Sequence, residues 1–397
     1  MDAVKDQYEA FPYPERDPAD ESRRLITGSP SLPQEIDHFL FGGQRDWSRP
    51  LRILVAGGGT GDGLIQLTAL LSRYGKPYRA TYIDLSAASR RVAEARAAAR
   101  GLGGITFVTG SLLDAADHGP FDYIDCCGVL HHLPDPAAGF RALRAALAPG
   151  GGMGFMVYAP YGRSGVYPLQ QAFAALFGTL EPRARLDAAR RVYENLPAGH
   201  PFKTNPNVHD HENGDAGFYD LLLHTQDRAY DVAGLVEVLD ETGWALSGFT
   251  VPAPYDLSRF GPVPEGMSEV QKMALAEKLN GTIRTHTAYA APKEDAPAPA
   301  SGRNRALVPH LKGVQAAQLA QAAANGHAVT VSADGVSAAL ELPKGAARAI
   351  AAIDGRRSIA DIAALAGDDP IAFGAAWAGV ERALAPWGML LYSSVLR

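Results

Sequence analysis

The sequence predicts an α/β fold in which a mostly parallel sheet carries helices on both faces. Strand-like and helix-like segments alternate from about residue 50 to residue 160, and this alternation is typical of βαβ units. The stretch ILVAGGGTGDG, residues 53–63, runs from an apolar strand through a turn with five glycines into a helix-like segment. Glycine is entropically costly, so its density here indicates that something approaches the backbone closely.

The elements follow in order along the chain. LRILVAG predicts a buried strand, and LIQLTALLSRYG predicts a helix with Leu64, Leu67 and Leu71 on one face. RATYIDLS predicts a strand, and AASRRVAEARAAARG predicts a helix with Ser86 as its N-cap. The remaining predicted strands are GITFVTG, FDYIDCCGVL, GMGFMVYAP, ALSGFTV and RTHTAYAAP, and the remaining predicted helices are AAGFRALRAALAPGG and DVAGLVEVLDETGW.

The composition is that of a globular protein in a reducing compartment. The 397 residues suggest two domains, or one large domain with additions. A net charge of −6 gives no support for binding to nucleic acid or to an anionic membrane. The only cysteines, Cys126 and Cys127, are adjacent, which argues against a disulfide framework and against a zinc site. With no signal-peptide core and no long apolar run, we expect a cytoplasmic protein.

The chain divides into four parts. Residues 1–45 form an irregular cap or lid segment with many turn signals. Residues 46–292 carry the α/β domain, with a long insertion at 161–228. Residues 293–305 have the proline-rich composition of a flexible linker. Residues 306–397 combine strand-like pieces, short helices and a closing strand, which suggests a winged-helix-like domain.

The glycine turn fits two classes of ligand. A dinucleotide requires the pattern G-x-G-x-x-G, whose last glycine lets a helix N-terminus meet the pyrophosphate. Counted from Gly57, that third glycine falls on Asp62, and an acidic side chain there would repel pyrophosphate. We therefore expect a nucleoside without phosphates, although such a turn also occurs without any ligand.

Asp84 ends the second strand, 27 residues after Gly57. A carboxylate at this position can accept hydrogen bonds from both ribose hydroxyls. The alternative is an aspartate that only complements the dipole of the following helix. After the third strand, Ser111 and Leu112 stand where an adenine edge would lie.

Residues 50–160 resemble, motif by motif and in the same order, the class I S-adenosylmethionine-dependent methyltransferases. The segments VLHHLPDP and LAPGGGM are especially specific for that family. The resemblance implies a Rossmann-like seven-stranded sheet and S-adenosylmethionine as the cofactor. It also implies a cofactor site made of Gly57, Gly58, Gly59, Gly61, Asp84, Leu85, Ser111, Leu112, Gly128 and Val129.

Two positions depart from the family's pattern. The family often has an acidic residue at the position of Val55, and an aspartate at the position of Ser111 that holds the adenine amino group. Both carboxylates are missing here. We therefore expect either a modest cofactor affinity or substitution by another residue such as Asp114.

His131 and His132 are the candidate catalytic residues. They follow the fourth strand, at the edge of the sheet where the methyl acceptor must sit. An imidazole ordinarily titrates near ~6.5, which suits a general base for an acceptor that carries a proton. The alternative is structural, because one histidine can cap a helix or hydrogen-bond a backbone carbonyl.

The insertion contains a second polar cluster, His209, Asp210, His211, Glu212 and His224, which suggests metal ligands. His209 and His211 lack the i, i+4 spacing of ligands on a helix, so we expect an acceptor pocket or lid and no metal. The predicted acceptor site consists of Tyr8, Tyr13, His132, Tyr158, His211 and His224. The segment QYEAFPYP resembles N-terminal segments of rickettsial protein-lysine methyltransferases, or else it simply packs the N-terminus onto the domain.

The methyl acceptor stays open at this point. The first hypothesis is transfer to an oxygen or nitrogen of a small metabolite. The alternatives are a protein or peptide N-methyltransferase whose C-terminal domain docks the substrate, and a regulator that senses the cofactor. Residues 293–397 contain 10 Lys and Arg against 9 Asp and Glu, a balance that disfavours DNA binding. We expect no nucleic-acid or membrane partner, and we expect the C-terminal domain to dock a peptide or a second subunit in a homodimer.

Overall fold

A seven-stranded mixed sheet forms the centre of the molecule. The computed structural model describes residues 2–397. The strands of the sheet are β1 (Leu51–Ala56), β2 (Tyr78–Asp84), β3 (Ile105–Thr109), β4 (Phe121–Cys127), β5 (Leu147–Tyr158), β6 (Trp244–Phe249) and β7 (Thr285–Pro292). Their order is β3-β2-β1-β4-β5-β7-β6, and only β7 runs antiparallel to its neighbours. The prediction of a Rossmann-like α/β fold with seven strands is confirmed.

The helices follow the alternation that the sequence predicts. They are α1 (Asp2–Ala10), α2 (Pro33–Leu40), α3 (Asp62–Arg73), α4 (Ala87–Ala99), α5 (Pro136–Ala145), α6 (Val166–Phe177), α7 (Pro182–Glu194), α8 (Gly214–Leu222), α9 (Val232–Glu241), α10 (Glu269–Asn280), α11 (Ala316–Asn325), α12 (Ala347–Ala351), α13 (Ile359–Ala366) and α14 (Pro370–Leu384). Ser86 caps α4, because its Oγ accepts a hydrogen bond from the Ser89 N–H at 3.0 Å. Across residues 2–397, no helix has both the length and the apolarity that crossing a membrane requires.

Helices cover both faces of the sheet because its central strand is apolar on both sides. In β1, Ile53 and Val55 pack in the cluster that includes side chains of α2, α3 and α4. Leu54 and Ala56 pack in the cluster on the opposite face, with side chains of α5 and α9. Successive strand residues point to opposite faces. The ends of the strands are thus the part of the sheet left for a ligand.

The insertion has an apolar core of its own beside the sheet. Val166 of α6, Leu186 of α7 and Phe218 of α8 are buried together in it. The N-terminal segment joins this core, since Phe11 stacks on Tyr219 with ring centroids 5.0 Å apart. The part of the N-terminal segment around Phe11 therefore packs with residues 161–228.

Residues 306–397 build a fourth apolar cluster. This C-terminal unit contains α11 to α14, the hairpin of β9 (Val329–Ala333) with β10 (Val336–Leu340), and the pair of β8 (Pro309–Leu311) with β11 (Leu390–Tyr392). The winged-helix interpretation of this unit is not confirmed.

The predicted linker at 293–305 is docked in its second half. The Ala300 N–H donates to the His38 carbonyl at 3.1 Å, and the Gly302 N–H donates to Glu381 at 2.7 Å. The linker is therefore fixed at these two points, whereas its proline content predicts a flexible segment.

The C-terminal unit is held against α2 by buried hydrogen bonds. The Asp37 carboxylate accepts from the Ser393 hydroxyl at 2.7 Å and from the Ser394 N–H at 2.8 Å. The Tyr392 N–H donates to Nδ1 of His38 at 3.1 Å. The unit thus contacts the sheet domain through the helix that precedes β1.

Candidate active site

A cavity of about 490 Å³ lies at the carboxyl ends of β1, β2 and β4. Thirteen of the predicted site residues line it, namely Tyr8, Tyr13, Gly57, Gly58, Gly59, Asp84, Leu85, Ser111, Leu112, Gly128, Val129, His132 and Tyr158. All predicted site residues fall within the described part of the chain, and four of them lie outside the lining, namely Gly61, His131, His211 and His224. The sequence-predicted residues thus converge on one site with these four exceptions.

Packing within the protein explains part of the glycine density after β1. Gly57 has φ +67°, and a Cβ there would lie 2.5 Å from the Val129 side chain. Gly59 has φ +51°, and its N–H donates to Oδ2 of Asp84 at 2.7 Å. The left-handed conformation favours glycine at both positions. The loop therefore needs glycine at these positions for its own geometry.

Asp84 has contacts that agree with both interpretations of it from the sequence. Its Oδ1 accepts from the Ser86 N–H at 2.8 Å, at the start of α4, while the side chain also lines the cavity. Burial raises the pKa of Asp84, and the bonds from the Ser86 and Gly59 N–H groups act in the opposite direction. Glu9 of α1 adds a second carboxylate at this helix start, where it accepts from the Ala87 and Ala88 N–H groups.

The end of the cavity next to β3 has no carboxylate in its lining. Ser111 uses its Oγ to accept from the Leu113 N–H at 3.1 Å, so it caps the short turn that follows. Leu112 is buried and lines the cavity. Asp114 is exposed and stands outside the lining. The suggestion that Asp114 replaces the family's aspartate therefore finds no support in this geometry.

Asp62 is neutralised by two guanidinium groups. Arg16 and Arg96 each approach its carboxylate to 2.7 Å. Burial opposes ionisation, but these hydrogen-bonded pairs prevail and lower the pKa of Asp62. Because its charge is balanced by Arg16 and Arg96, Asp62 repels pyrophosphate less than an unpaired carboxylate at this position would.

His132 presents one ring nitrogen to the cavity side of the site. Its Nδ1 lies 2.8 Å from the Gln226 carbonyl oxygen, which can only accept, so Nδ1 carries the proton. In a neutral ring this leaves the lone pair on Nε2, and the side chain lines the cavity. The ring also stacks on His224, with centroids 3.7 Å apart. The histidine is thus fixed in a tautomer and an orientation that suit a base.

Asp220 is a buried carboxylate next to His132. The Tyr8 hydroxyl donates to its Oδ1 at 2.9 Å, and the Tyr158 hydroxyl donates to its Oδ2 at 3.4 Å. Burial raises the pKa of Asp220 and raises the pKa of both tyrosines well above their usual value. Because the tyrosines stay protonated and donate, the carboxylate acts as the acceptor of this cluster.

His131 lies behind His132, away from the cavity. Its ring packs on Tyr158 with centroids 4.0 Å apart, and within residues 2–397 neither ring nitrogen has a hydrogen-bond partner. Burial, with smaller contributions from His132 and Arg163, lowers the pKa of His131 well below its usual value. The structure therefore separates the predicted pair: His132 faces the cavity, and neutral His131 packs beneath it.

Two groups of side chains have donor atoms close enough to suggest a metal. They are His132, Asp220 and His224, and His131, His132 and Asp227, with the donor atoms of each group within 4.8 Å of one another. In the first group, Nδ1 of His224 accepts from the Gln226 N–H at 3.1 Å, and Nε2 faces the Tyr8 hydroxyl at 3.3 Å. Both nitrogens of His224 are therefore used in hydrogen bonds. In the second group, Asp227 pairs with Arg163, whose charge disfavours a cation nearby.

His211 lies outside the cavity, among the aromatic side chains of the insertion. Its ring contacts Phe202 and Tyr193, with centroids 4.8 and 5.6 Å away. An imidazole in such surroundings packs as an aromatic side chain, so its predicted place in the acceptor site is not supported by this geometry. His224 also lies behind the lining, but it reaches the site through Tyr8.

Sequence reasoning missed several polar residues of the cavity. Asp125, Asp220, Ser31, Gln226 and Arg163 all line it. A signal for two of them is present in the sequence, because Asp125 and Asp220 are single carboxylates within the apolar stretches YIDCC and FYDLLL. A buried charge without an evident partner is a candidate for function.

Comparison with known proteins identifies the central part of the chain. Residues 54–153 match the family model of a methyltransferase domain. An uncharacterised protein of Synechococcus sp., syc1184_c, is 33% identical over 254 residues, which are 62% of this chain and 60% of that protein. The chain thus spans less than two thirds of the length of this relative.

Among solved structures, PKMT2 of Rickettsia typhi has a similar fold. One structure of it has a TM-score of 0.54 at 15% identity and covers 74% of this chain and 61% of that chain. The structure of PKMT2 in complex with AdoHcy has a TM-score of 0.60 at 13% identity and covers 91% of this chain and 75% of that chain. The likeness therefore concerns the fold, and it extends over more than the sheet domain.

Proposed function

We propose that this chain, a member of the class I S-adenosylmethionine-dependent methyltransferases, transfers the methyl group of S-adenosylmethionine to an amine nitrogen of a small molecule. The match to the methyltransferase domain and the sheet order support the family and its cofactor. The acceptor class is inferred from the side chains around His132.

The cavity fits the cofactor in size and in the order of its walls. Its volume of about 490 Å³ lies within the ~300–1,000 Å³ that is usual for sites of drug-sized ligands. Leu112 after β3 would face the adenine, and Asp84 at the end of β2 would accept from the ribose hydroxyls. Since β1 and β4 come next in the sheet, the amino-acid part and the reactive methyl would lie toward His132 and Tyr158.

A single observation carries the choice of an amine. His132 is fixed by Gln226 with Nε2 available, and the buried carboxylate of Asp220 lies beside it. A protonated amine is attracted by a carboxylate, and it must lose a proton before its nitrogen can attack. The site thus offers a group to bind the cation and a group to accept its proton.

The chain's residues contribute position and proton transfer. Asp220, held by Tyr8 and Tyr158, would bind the ammonium form of the acceptor. His132 Nε2 would take one proton, and the nitrogen lone pair would then form the new N–C bond. S-adenosylmethionine supplies an electrophilic methyl, whose bond to sulfur breaks with the electron pair remaining on sulfur. Closure of the site would hold nitrogen, carbon and sulfur in line, which is the main contribution to such a displacement.

The experiment is to incubate the protein with methyl-labelled S-adenosylmethionine and a cell extract that has been separated by size. Label should enter the low-mass fraction and be retained with basic compounds on a cation exchanger. His132→Gln should lower this rate by about 10²–10⁴-fold, the usual contribution of a general base, while the affinity for S-adenosylhomocysteine is kept. His118→Gln, a change at an exposed histidine, is the matched control. Label only in neutral or acidic small molecules would contradict the amine acceptor.

A protein side-chain amine is the second candidate. The fold similarity to PKMT2 covers 91% of this chain, so it includes at least part of residues 306–397. A shared additional unit of this kind could position a protein substrate near the same carboxylate. Label that appears in the protein fraction, with the low-mass fraction unlabelled, would favour this candidate over the first.

A further inference from the structure

We infer that Asp125 of β4 binds the α-ammonium group of the cofactor's methionine part, in place of the acidic residue that the family often has at the position of Val55. Val55 of β1 and Asp125 of β4 are direct partners in the register of the two strands. Both side chains line the cavity. Asp125 therefore offers a carboxylate on the neighbouring strand at the same level of the sheet as Val55.

In the part of the chain that the structure describes, no cationic side chain pairs with Asp125. Asp125 is 1% exposed, and its Oδ2 accepts from the Ser31 hydroxyl and, at 3.3 Å, from the Tyr123 hydroxyl. Within residues 2–397, Oδ1 has no hydrogen-bond donor, and no Lys, Arg or His forms an ion pair with this carboxylate. A buried, ionised carboxylate without a cation lowers the stability of the fold unless a bound ligand supplies a balancing positive charge. By contrast, Asp62, which is the first residue of α3, pairs with two arginines.

The surroundings keep space open at Oδ1. Gly63 lies in the first turn of α3, and a Cβ there would come within 3.2 Å of Oδ1 and 2.8 Å of the Ser31 oxygen. Gln66 holds the segment around Ser31, because its amide donates to the carbonyls of Gly28 and Ser31 at 2.8 and 2.9 Å. This arrangement fixes the carboxylate, whose Oδ1 has no donor in the described part of the chain, in a side chain that lines the cavity.

The position of Asp125 in the sheet points to the amino-acid end of the cofactor. Adenine and ribose are assigned to the ends of β3 and β2 under the proposed function, on which this inference rests. The part of the ligand beyond the ribose then lies across β1 and β4, and its only fixed cation besides the sulfonium is the α-ammonium group. Ammonium–carboxylate pairs are among the stronger hydrogen bonds in proteins.

The test compares two ligands that differ in the amino-acid part. S-adenosylhomocysteine carries the α-ammonium group, and 5′-methylthioadenosine has the same nucleoside and thioether without it. In Asp125→Asn, calorimetry should show that the affinity for S-adenosylhomocysteine falls about ten- to a hundredfold, the range for a hydrogen bond to a charged group. The affinity for 5′-methylthioadenosine should not change. Asp84→Asn should weaken both ligands, and Asp117→Asn, at an exposed site, neither.

A rescue variant separates binding from folding. Adding Val55→Asp to Asp125→Asn returns a carboxylate to β1 and should restore part of the affinity for S-adenosylhomocysteine alone. If Asp125→Asn does not fold, the wild-type protein is titrated with S-adenosylhomocysteine and with its des-amino analogue. The preference for the amino compound should then decrease as the pH falls through about 6, the pKa to which burial raises the Asp125 carboxyl.

That pH dependence has few other sources at this position. The titratable groups that interact electrostatically with Asp125 include Tyr123, Cys126 and Cys127 of β4 and Tyr289 of β7. Burial raises the pKa of both tyrosines and of both thiols, so these groups stay neutral below pH 8.

Equal losses for both ligands in Asp125→Asn, or no loss for either, would overturn the inference. So would a preference for the amino compound that is independent of pH in the wild-type protein. If the wild-type protein binds neither ligand, the proposed function itself fails, which is a different result.

Discussion

Asp125 and Asp62 are two carboxylates near the glycine loop whose pKa values shift in opposite directions. Asp62 has Arg16 and Arg96 beside it, and these pairs lower its pKa against the effect of burial. Asp125 is buried without a cation, and burial raises its pKa to about 6 although Ser31 and Tyr123 donate to it. An ionised Asp125 therefore destabilises the ligand-free fold, which is typical of a group kept for function.

This cost predicts a pH-dependent gain in stability for Asp125→Asn. The pKa of Asp125 is about 6 in the folded chain and near ~3.9 in an unfolded one. The folded state thus holds an extra proton between these values, and the stability of the wild-type protein falls as the pH rises through this window. Relative to wild type, Asp125→Asn should gain up to about 3 kcal/mol between pH 4 and pH 7, measured by urea unfolding without cofactor.

Asp62→Asn is the control, because its effect on stability should have the opposite sign to that of Asp125→Asn. The folded pKa of Asp62 is lowered, so its contribution is present above the unfolded pKa and is lost as the pH falls. This variant should be less stable than wild type at pH 7, with a smaller difference at pH 4. A stability difference between Asp125→Asn and wild type that does not vary with pH would contradict the electrostatic account.

Asp84 is expected to contribute most of the polar binding energy at the ribose. Asp84→Asn should weaken S-adenosylhomocysteine by about 1.5–3 kcal/mol, because a neutral amide replaces a charged acceptor. Titration calorimetry measures this loss, with Asp117→Asn as the control for removal of one negative charge. Unchanged affinity would mean that Asp84 serves only the Gly59 and Ser86 N–H groups that it now binds.

At the level of elements, local patterns predict the sheet domain well. The apolar run of β1, the one-sided leucines of α3 and the Ser86 cap of α4 are all local features, and all appear in the structure. The family motifs add the strand order, which no local pattern contains. One candidate site residue is also predicted from local sequence, because Asp84 is the last residue of β2.

The acceptor side of the site depends on contacts that are distant in sequence. Tyr8 meets Asp220 across 212 positions, and Ser31 meets Asp125 across 94. The orientation of His132 depends on a carbonyl 94 positions away. No spacing rule predicts such pairs. The sequence therefore draws attention to His211, which stands in a run of polar residues, and gives no indication that Asp220 meets Tyr8. Partners of this kind become visible only when the chain is folded.

The N-terminal segment and the insertion should behave as one lid. Tyr8 and Glu9 of α1 bind Asp220 and the start of α4, so α1 links the acceptor side to the ribose side. A ligand that orders either end should reduce the opening of both. Hydrogen exchange with S-adenosylhomocysteine should therefore show protection in residues 2–14 and 203–226. Residues of α13, in the C-terminal unit, should exchange as before, and protection confined to the glycine loop would argue against a lid.

At the scale of the whole molecule, the C-terminal unit contacts a segment that lines the cavity. The Lys312 ammonium donates to the Ser29 hydroxyl at 2.8 Å and pairs with Glu35 of α2. Ser29 and Ser31 both line the cavity. The sequence suggested an independent domain on a flexible linker, because composition shows the prolines of 293–305 but not what that segment touches. We therefore expect removal of the unit to disturb the segment that precedes α2.

Cleaving the segment between residues 293 and 305, without removing anything, tests this integration. A protease recognition sequence is inserted after residue 297, with all residues of the chain kept. This position lies upstream of the contacts that Ala300 and Gly302 make with the rest of the chain. Leu391 and Val395 are buried in the same cluster as side chains of α2, and separation would return each to water at a cost of about 1.5–3 kcal/mol. After cleavage, the two pieces should elute together in gel filtration and bind S-adenosylhomocysteine with the affinity of the intact chain. The inserted but uncut protein is the control. Pieces that separate, with undiminished binding by the larger one, would show that the C-terminal unit is an independent domain after all.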